Sequence, residues 1–268
     1  MKDVLVTDSA TLLDASAADA VVVCGSHGGM YSGWLAAHAR VRAVILNDAG
    51  VGRQGAGIHG VLWLSGLGIA ACAVDFRSAR IADGADTLKS GVVSVVNEVA
   101  ARRGCLPGHT ARQIAKCLLE SAEEDDIGDV PDIGESRARI GNTGHREVWA
   151  IDSASLVRAE DRRAIVLTGS HGALLGGKPD HVLGVDAFAA FFNDAGGGKD
   201  GAGFSRLPVL DERGIAAATV SNNSARIGDG RSTYETGVVS RINATARRLE
   251  LREGMAAREA VARLLGLG

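Results

Sequence analysis

Residues 193–203 read NDAGGGKDGAG, and residues 47–57 read NDAGVGRQGAG. When residue 47 is set against residue 193 and both copies are followed to residues 93 and 239, 24 of the 47 positions are identical without a gap. Self-similarity at a fixed offset is the signature of an internal repeat. The sequence therefore predicts a tandem duplication, with a first α/β repeat at 1–123, a linker at 124–147 and a second α/β repeat at 148–268.

Short apolar runs in the first copy end at polar motifs. Runs of this kind are typical of parallel strands that are buried on both faces of a sheet. We expect strands at 4–7, 20–24, 42–46 and 69–74, and helices at 34–40, 58–67, 85–103 and 110–122. Strands that alternate with helices predict an α/β fold with mostly parallel strands, here as two copies related by pseudo-two-fold symmetry.

The segment 85–103 is expected to form one long helix. Gly91, Ser94 and Asn97 recur in it at a spacing of three, and Gly237, Ser240 and Asn243 match them in the second copy. This spacing favours one close-packed helix face rather than a set of chemically active side chains.

The composition bounds the class of protein. A chain of 268 residues with 46% hydrophobic residues and a net charge of −3 is expected to be soluble and globular. The balance of 29 basic and 32 acidic residues argues against a nucleic-acid partner. Residues 1–5 lack the charged and apolar regions typical of a signal peptide, and no apolar run approaches the length needed to span a membrane. The four cysteines form no C-x-x-C pair. We therefore expect a cytoplasmic protein with no membrane partner.

Polar motifs follow the predicted strands, where open parallel sheets bind their ligands. The two duplicated histidines are candidate general bases or metal ligands near neutral pH, and the duplicated aspartates could orient them. Alternatively, each histidine only bonds a backbone carbonyl, and each aspartate only stabilises its own turn. The serines beside the histidines do not lie in G-x-S-x-G, so the nucleophile-elbow motif is absent. The predicted catalytic residues are His27, His171, Asp48, Asp194, Ser26 and Ser170.

The glycine-rich runs are expected to open helices after strands, the setting in which backbone N–H groups hold an anion. A nucleotide cofactor is not expected, because there is no Walker lysine and the acidic ribose-binding position is Asp75 in one copy and Ser221 in the other. A divalent metal stays possible. Arg80 is expected either to bind an anionic substrate or to brace its own loop through Asp83. The predicted substrate-binding residues are Arg80, Arg226, Ser78, Ser224, Arg53, Lys199, Gly52, Gly55, Gly198 and Gly201.

Two short stretches resemble known families. Residues 44–48 and the following glycines resemble the opening strand and metal loop of the survival-type nucleotidases, with Ala49 where that loop has a second acidic residue. Residues 20–27 resemble the cysteine loop of the aspartate/glutamate racemase superfamily, with Cys24 in the first copy and Thr168 in the second. Each resemblance covers one loop, and we assign no family from the sequence.

The sequence favours a hydrolase acting on a small anionic metabolite, such as an amide or cyclic amide. The copies differ at 75–77 and 221–223, which read DFR and SNN, and this difference favours a composite site between the two repeats. The alternatives are a racemase or isomerase that uses one acid-base group from each repeat, and a non-catalytic anion-binding or assembly subunit. A homo-oligomer is compatible with all three.

Overall fold

A computed structural model describes residues 4–122, 127–142 and 146–266. The chain forms two compact units, of which the first comprises Met1–Val51, Gly55–Gly134 and Gly198–Asp200. The second comprises Gly52–Gln54, Glu135–Gly197 and Gly201–Gly268. The predicted boundaries at residues 1, 123, 124 and 268 lie outside the described residues.

The first unit contains a five-stranded sheet whose strands are adjacent in chain order. The first four strands are parallel, and the fifth is antiparallel to the fourth. The strands are β1 (Val4–Thr7), β2 (Val21–His27), β3 (Ala43–Asn47), β4 (Ala70–Val74) and β5 (Val93–Val96). The helices are α1 (Met30–His38), α2 (His59–Trp63), α3 (Gly84–Ser90), α4 (Glu98–Arg102) and α5 (Ala111–Glu120).

The second unit contains a six-stranded sheet with the order β11-β10-β9-β8-β7-β6. Its four central strands are parallel, and both outer strands are antiparallel to their neighbours. The strands are β6 (Arg137–Asn142), β7 (Glu147–Ile151), β8 (Ile165–His171), β9 (Ala189–Asn193), β10 (Ala216–Val220) and β11 (Val239–Ile242). The helices are α6 (Arg206–Glu212), α7 (Gly230–Thr236), α8 (Ala244–Arg248) and α9 (Ala257–Leu265). Strand β6 lies inside the segment 124–147 that the sequence predicts as a linker.

Apolar side chains cover both faces of each sheet. In the first unit, Val23 and Ile45 pack on one face while Val22 and Leu46 pack on the other. All five residues of β3 are buried, as expected for a parallel strand between two helical layers. The α/β class with mostly parallel strands is thus confirmed. No described helix is both long and apolar enough to cross a membrane.

The long helix expected at 85–103 is wrong. Helix α3 ends at Ser90, β5 follows, and α4 starts at Glu98 with Asn97 as its N-cap. The β-branched run at 92–96 favours a strand, and a Cβ on Gly91 would lie 2.5 Å from the Thr87 carbonyl oxygen. Gly91, Ser94 and Asn97 therefore share no helix face, and the second unit repeats the same break between α7, β11 and α8.

Candidate functional site

The carboxyl ends of the parallel strands bring the predicted histidine and aspartate to one edge of each sheet. His27 ends β2 and is paired in register with Asn47, the last residue of β3, and Asp48 follows directly. In the second unit His171 is paired with Asn193 in the same way, and Asp194 follows. Neighbouring strands therefore place each histidine beside the residue that precedes its predicted partner.

His27 has a defined tautomer. Its Nδ1 accepts a hydrogen bond from the Gly29 N–H at 3.1 Å, so the proton of the neutral ring lies on Nε2. Burial lowers the pKa of His27 to about 4, because the charged imidazolium is poorly solvated there. At neutral pH the ring is an uncharged hydrogen-bond donor. With this pKa the ring is a weak base, and its expected role as a general base near neutral pH stays a prediction.

His171 has a similar contact. It is buried, and its Nδ1 accepts from the Ala173 N–H at 3.3 Å. The residue two positions after the histidine is Gly29 in the first unit, where a Cβ would come within 2.6 Å of His27 Nδ1. The second unit has Ala173 at the equivalent position. The His171 ring therefore lies beside an alanine methyl group, for which the first unit has no space next to His27.

Asp48 is buried, and both of its carboxylate oxygens accept hydrogen bonds within the first unit. Its Oδ1 accepts from the N–H groups of Gly50 at 2.9 Å and Phe76 at 3.0 Å. Its Oδ2 accepts from the Ser94 hydroxyl at 2.7 Å. Burial raises the pKa of the Asp48 carboxyl above its ordinary value, and these hydrogen bonds partly oppose that effect.

Asp194 has fewer partners. It accepts from the N–H groups of Gly196 at 2.9 Å and Asn222 at 2.8 Å. The serine equivalent to Ser94 is Ser240, whose hydroxyl is hydrogen-bonded to the Thr219 hydroxyl at 2.9 Å. The hydroxyl that contacts the carboxylate in the first unit is therefore engaged with a neighbouring strand in the second.

Ser94 is a site residue that the sequence does not predict. The spacing of three predicts that it lies on a helix, whereas it lies on β5 next to β4. The signal that could have found it is the sequence VVSVV at 92–96, since four β-branched residues around one serine are typical of a strand.

The four serines of the prediction are bound to backbone. Ser26 Oγ accepts from the Ala10 N–H, and Ser170 Oγ accepts from the Ala154 N–H, both at 2.9 Å. Ser78 Oγ donates to the Asp75 carbonyl oxygen at 2.7 Å and accepts from the Val92 N–H at 2.9 Å. Ser224 makes the equivalent pair of bonds with Ser221 and Val238. In each unit these hydroxyls stabilise loops at the carboxyl edge of the sheet.

In the first unit the predicted anion-binding cations contact carboxylates. Arg80 donates from Nε and Nη2 to Asp83 at 3.2 and 3.0 Å, and from Nη1 to Asp200 at 3.0 Å. Lys199 Nζ lies 2.8 Å from Asp86 Oδ1 and 2.8 Å from Ser90 Oγ. An anionic ligand at either cation would compete with these carboxylates.

In the second unit Arg226 has one carboxylate partner and one neutral partner. It donates to Asp229 at 3.0 and 2.6 Å, and its Nη1 donates to the Gln54 side-chain oxygen at 2.9 Å. The Arg53 N–H donates to the Asn222 carbonyl oxygen at 2.7 Å. Arg226 therefore has less negative charge around it than Arg80 has.

The glycine-rich loops contain left-handed glycines, and 3-10 helices at Arg53–Gly55 and Lys199–Phe204 precede α2 and α6. Gly52, Gly55, Gly198 and Gly201 have φ of 67°, 72°, 66° and 68°, the region that glycine adopts most readily. Loop amides donate inside the protein, as those of Gly50 to Asp48 Oδ1 and of Gly196 to Asp194 Oδ1 do. The glycines thus shape the backbone, and helix α2 starts only at His59.

Neither a metal site nor a protein family can be assigned from the described residues or from comparison with known proteins. Within the described ranges, no group of three or more His, Cys, Asp and Glu side chains is placed to hold a metal ion. Comparison with protein-family models, with curated proteins and with solved structures gives no match. The function is therefore inferred from the two sheet edges alone.

Proposed function

We propose that the protein is a hydrolase that cleaves an amide or cyclic amide in a small anionic metabolite. The observation that carries this proposal is the pair of groups at the edge of the first sheet, a neutral imidazole donor and a buried carboxylate directly after the next strand.

His27 supplies the electrophilic part of the mechanism. A neutral imidazole that donates from Nε2 stabilises negative charge that develops on a carbonyl oxygen. Because the pKa of His27 is lowered to about 4, the ring stays uncharged at the pH of the cell. The substrate carbonyl would compete with the acceptor that the Nε2–H of His27 contacts in the ligand-free protein.

Asp48 supplies the base. A carboxylate whose pKa is raised by burial is a stronger base than an exposed one, and it can take a proton from an attacking water. Activity is then expected to fall as the pH drops through the pKa of Asp48, because protonation removes the base. Asp194 and His171 are proposed to have the matching roles at the second sheet.

The anionic part of the substrate is assigned to Arg80 and Arg226. Their side chains keep 40% and 43% of their surface exposed within their ion pairs, so a carboxylate or phosphate can reach them. Arg226 is the stronger candidate, because the neutral Gln54 stands where Arg80 meets Asp200.

The test is a screen of small carboxylate-bearing amides, imides and lactams, with product release followed by mass spectrometry. His27→Ala is expected to lower turnover by about 10²- to 10³-fold, the cost of removing one oxyanion donor. His27→Gln keeps an N–H donor but no acid-base group, and it is expected to recover part of that loss. Equal losses in both variants would contradict the donor role. Absence of hydrolysis across the panel by the folded parent would contradict the proposal.

The second candidate is an isomerase or racemase, favoured by the same pair of groups. A carboxylate base beside a neutral donor on a carbonyl oxygen is also suited to removing a proton next to that carbonyl. Deuterium uptake from heavy water into an uncleaved ligand would favour this reading over hydrolysis. Ligand binding with neither exchange nor cleavage would favour the non-catalytic anion-binding subunit.

We further propose that the chain arose by duplication of one α/β unit. The identity of 24 of 47 aligned residues and the shared order of strands and helices support this origin. A cytoplasmic location is proposed on the four cysteines, none of which forms a disulfide.

A further inference from the structure

Three of the four cysteines lie in one core cluster of the first unit. Cys72 is on β4, Cys105 follows α4, and Cys117 is on α5. Cys24 belongs to the separate cluster on the other face of the sheet. The positions equivalent to the three clustered cysteines in the second unit are Ala218, Leu251 and Arg263. The thiol cluster is therefore a property of the first unit alone.

Cys72 and Cys105 lie in the same apolar cluster, and Cys117 packs against it. Side-chain hydrogen bonding of Cys105 with Cys72 and Cys117 shifts the pKa of each of these thiols. Cys117 Sγ also lies 2.9 Å from the Arg103 carbonyl oxygen. A Cβ on Gly104, the residue before Cys105, would lie 3.6 Å from Cys117 Sγ. The backbone at 103–104 thus lies directly against the Cys117 sulfur.

The environments of the thiols differ. The Cys72 hydrogen bond lowers the pKa of Cys105, and the nearby Arg103 guanidinium adds to this effect. Burial raises the pKa of Cys117. Cys117 is nevertheless the most accessible of the four thiols, because it is half-buried whereas Cys24, Cys72 and Cys105 are buried. Cys117 is the thiol that a small oxidant reaches first.

We propose that Cys105 and Cys117 form a disulfide when the protein meets hydrogen peroxide. The Cys117 thiolate attacks one peroxide oxygen, the O–O bond breaks, hydroxide leaves and a sulfenic acid forms. The Cys105 thiolate then attacks that sulfur, the S–O bond breaks, and a second hydroxide leaves. The two thiols lose two electrons to the peroxide, and their two protons convert the hydroxides into two waters.

This site is independent of the proposed hydrolase. Cys105 and Cys117 pack on α4 and α5, whereas His27 and Asp48 lie at the carboxyl edge of the parallel strands. Oxidation is therefore expected to leave the edge residues in place while it ties α5 to the end of α4. Such a link is a reversible modification that thiol reductants undo.

Tryptic mapping tests the proposal on the full-length protein. Trypsin places Cys24, Cys72, Cys105 and Cys117 in four separate peptides, residues 3–40, 54–77, 104–112 and 117–137. After hydrogen peroxide treatment and alkylation under denaturing conditions, we expect two of the four thiols to be lost. The non-reduced digest should contain 104–112 linked to 117–137, and dithiothreitol should separate the pair.

Variants decide between this pair and other outcomes. Cys24→Ala and Cys72→Ala are expected to keep the linked peptide, while Cys117→Ala is expected to keep all three remaining thiols. A link between 54–77 and 104–112 would overturn the assigned pair. Four unreacted thiols, or Cys117 oxidised to sulfinic acid with no link, would overturn the disulfide. Because the wild-type digest alone gives these answers, a variant that fails to fold does not remove the test.

Discussion

The two glycine-rich loops, 47–57 and 193–203, follow the same backbone path with different side chains. Ala49 and Ala195 both have φ of 49°, and Gln54 and Asp200 have φ of 55° and 56°. Left-handed conformations of this kind are costly for residues other than glycine, so their recurrence at matched positions shows that the path itself is required. The loops differ in the groups that contact their shared aspartate, which is Asp48 in the first loop and Asp194 in the second.

The difference coincides with one residue, which lies on β4 in the first unit and on β10 in the second. The first unit has Ala73 there, and the Ser94 hydroxyl donates to Asp48. The second unit has Thr219, whose hydroxyl engages Ser240 instead. A single hydroxyl therefore changes the surroundings of Asp194 relative to Asp48 without any change in the loop. Two similar edges thus differ in the hydrogen-bond partners of their aspartates.

The largest expected effect tests whether both loops need the same path. A Cβ on Gly57 would lie 2.2 Å from the Asp48 carbonyl oxygen, and one on Gly203 would lie 2.0 Å from the Asp194 carbonyl oxygen. We expect Gly57→Ala and Gly203→Ala each to lower the free energy of unfolding by about 3 kcal/mol. Urea unfolding measures this. Gly66→Ala is the control, since a Cβ there meets nothing within 4 Å. Tolerance of either loop variant would show that the two loops do not both need this backbone path.

A second prediction concerns the stability contributed by His27. Its pKa falls from 6.5 in the unfolded chain to about 4 in the folded protein, so the unfolded state binds more protons between these values. The free energy of unfolding should therefore decrease as pH falls from 6.5 to 4, by at most about 3 kcal/mol. His27→Gln should remove this part of the pH dependence, while replacement of the exposed His38 by Gln should retain it. An unchanged profile in His27→Gln would show that the ring titrates normally.

A third prediction exchanges the residues that differ within the loops. Val51 has φ of 61°, and the matching Gly197 has φ of 79°. Val51→Gly should stabilise the protein by about 1 kcal/mol, because it relieves a strained backbone position. Gly197→Val should destabilise it by about 2 kcal/mol, since a Cβ there lies 3.0 Å from the Phe204 ring.

The first unit has Val51 and Ile58 at the positions of Gly197 and Phe204, so Phe204→Ile should recover part of the loss caused by Gly197→Val. A double-mutant cycle measured by thermal unfolding gives this coupling. Strictly additive effects would show that the Phe204 ring does not determine the requirement for glycine at position 197.

The smallest expected effect concerns the serine that distinguishes the two aspartates. The Ser94 hydrogen bond lowers the pKa of Asp48, so Ser94→Ala should raise that pKa further. A carboxyl carbon NMR titration of Asp48 measures this, and Ser240→Ala is the control because the Ser240 hydroxyl bonds Thr219 and not Asp48. An Asp48 pKa that Ser94→Ala leaves unchanged would show that the Ser94 contact does not act on this carboxyl.

Much of the fold could be predicted because the signals are local. The apolar runs that end at Asn47 and Val74 mark two strands, and Gly68 closes its helical segment with φ of 75°, as expected for a C-cap glycine. Strand β5 was missed because a spacing of three suggested a helix face. The β-branched residues around Ser94 favour a strand, and its pairing with β4 confirms that preference.

The candidate site was less predictable because its contacts join residues far apart in the chain. The polar residues at the strand ends were identified from their position, but nothing near Asp48 in the sequence points to Ser94. The carboxylate partners of Lys199 and Arg80 are equally remote, since Asp86 and Asp200 lie more than a hundred residues from them. The tautomer of His27 depends on one backbone N–H, which residue type does not show.

The protonation state and tautomer of His27 provide the most direct test of the proposed hydrolase. Nitrogen-15 NMR of histidine-labelled protein distinguishes a protonated ring nitrogen from an acceptor nitrogen, and a pH titration gives the pKa. We expect Nε2 protonated, Nδ1 unprotonated, and a pKa close to the value of about 4. An imidazolium at pH 6.5, or a proton on Nδ1 at neutral pH, would contradict the neutral donor on which the proposed hydrolase depends.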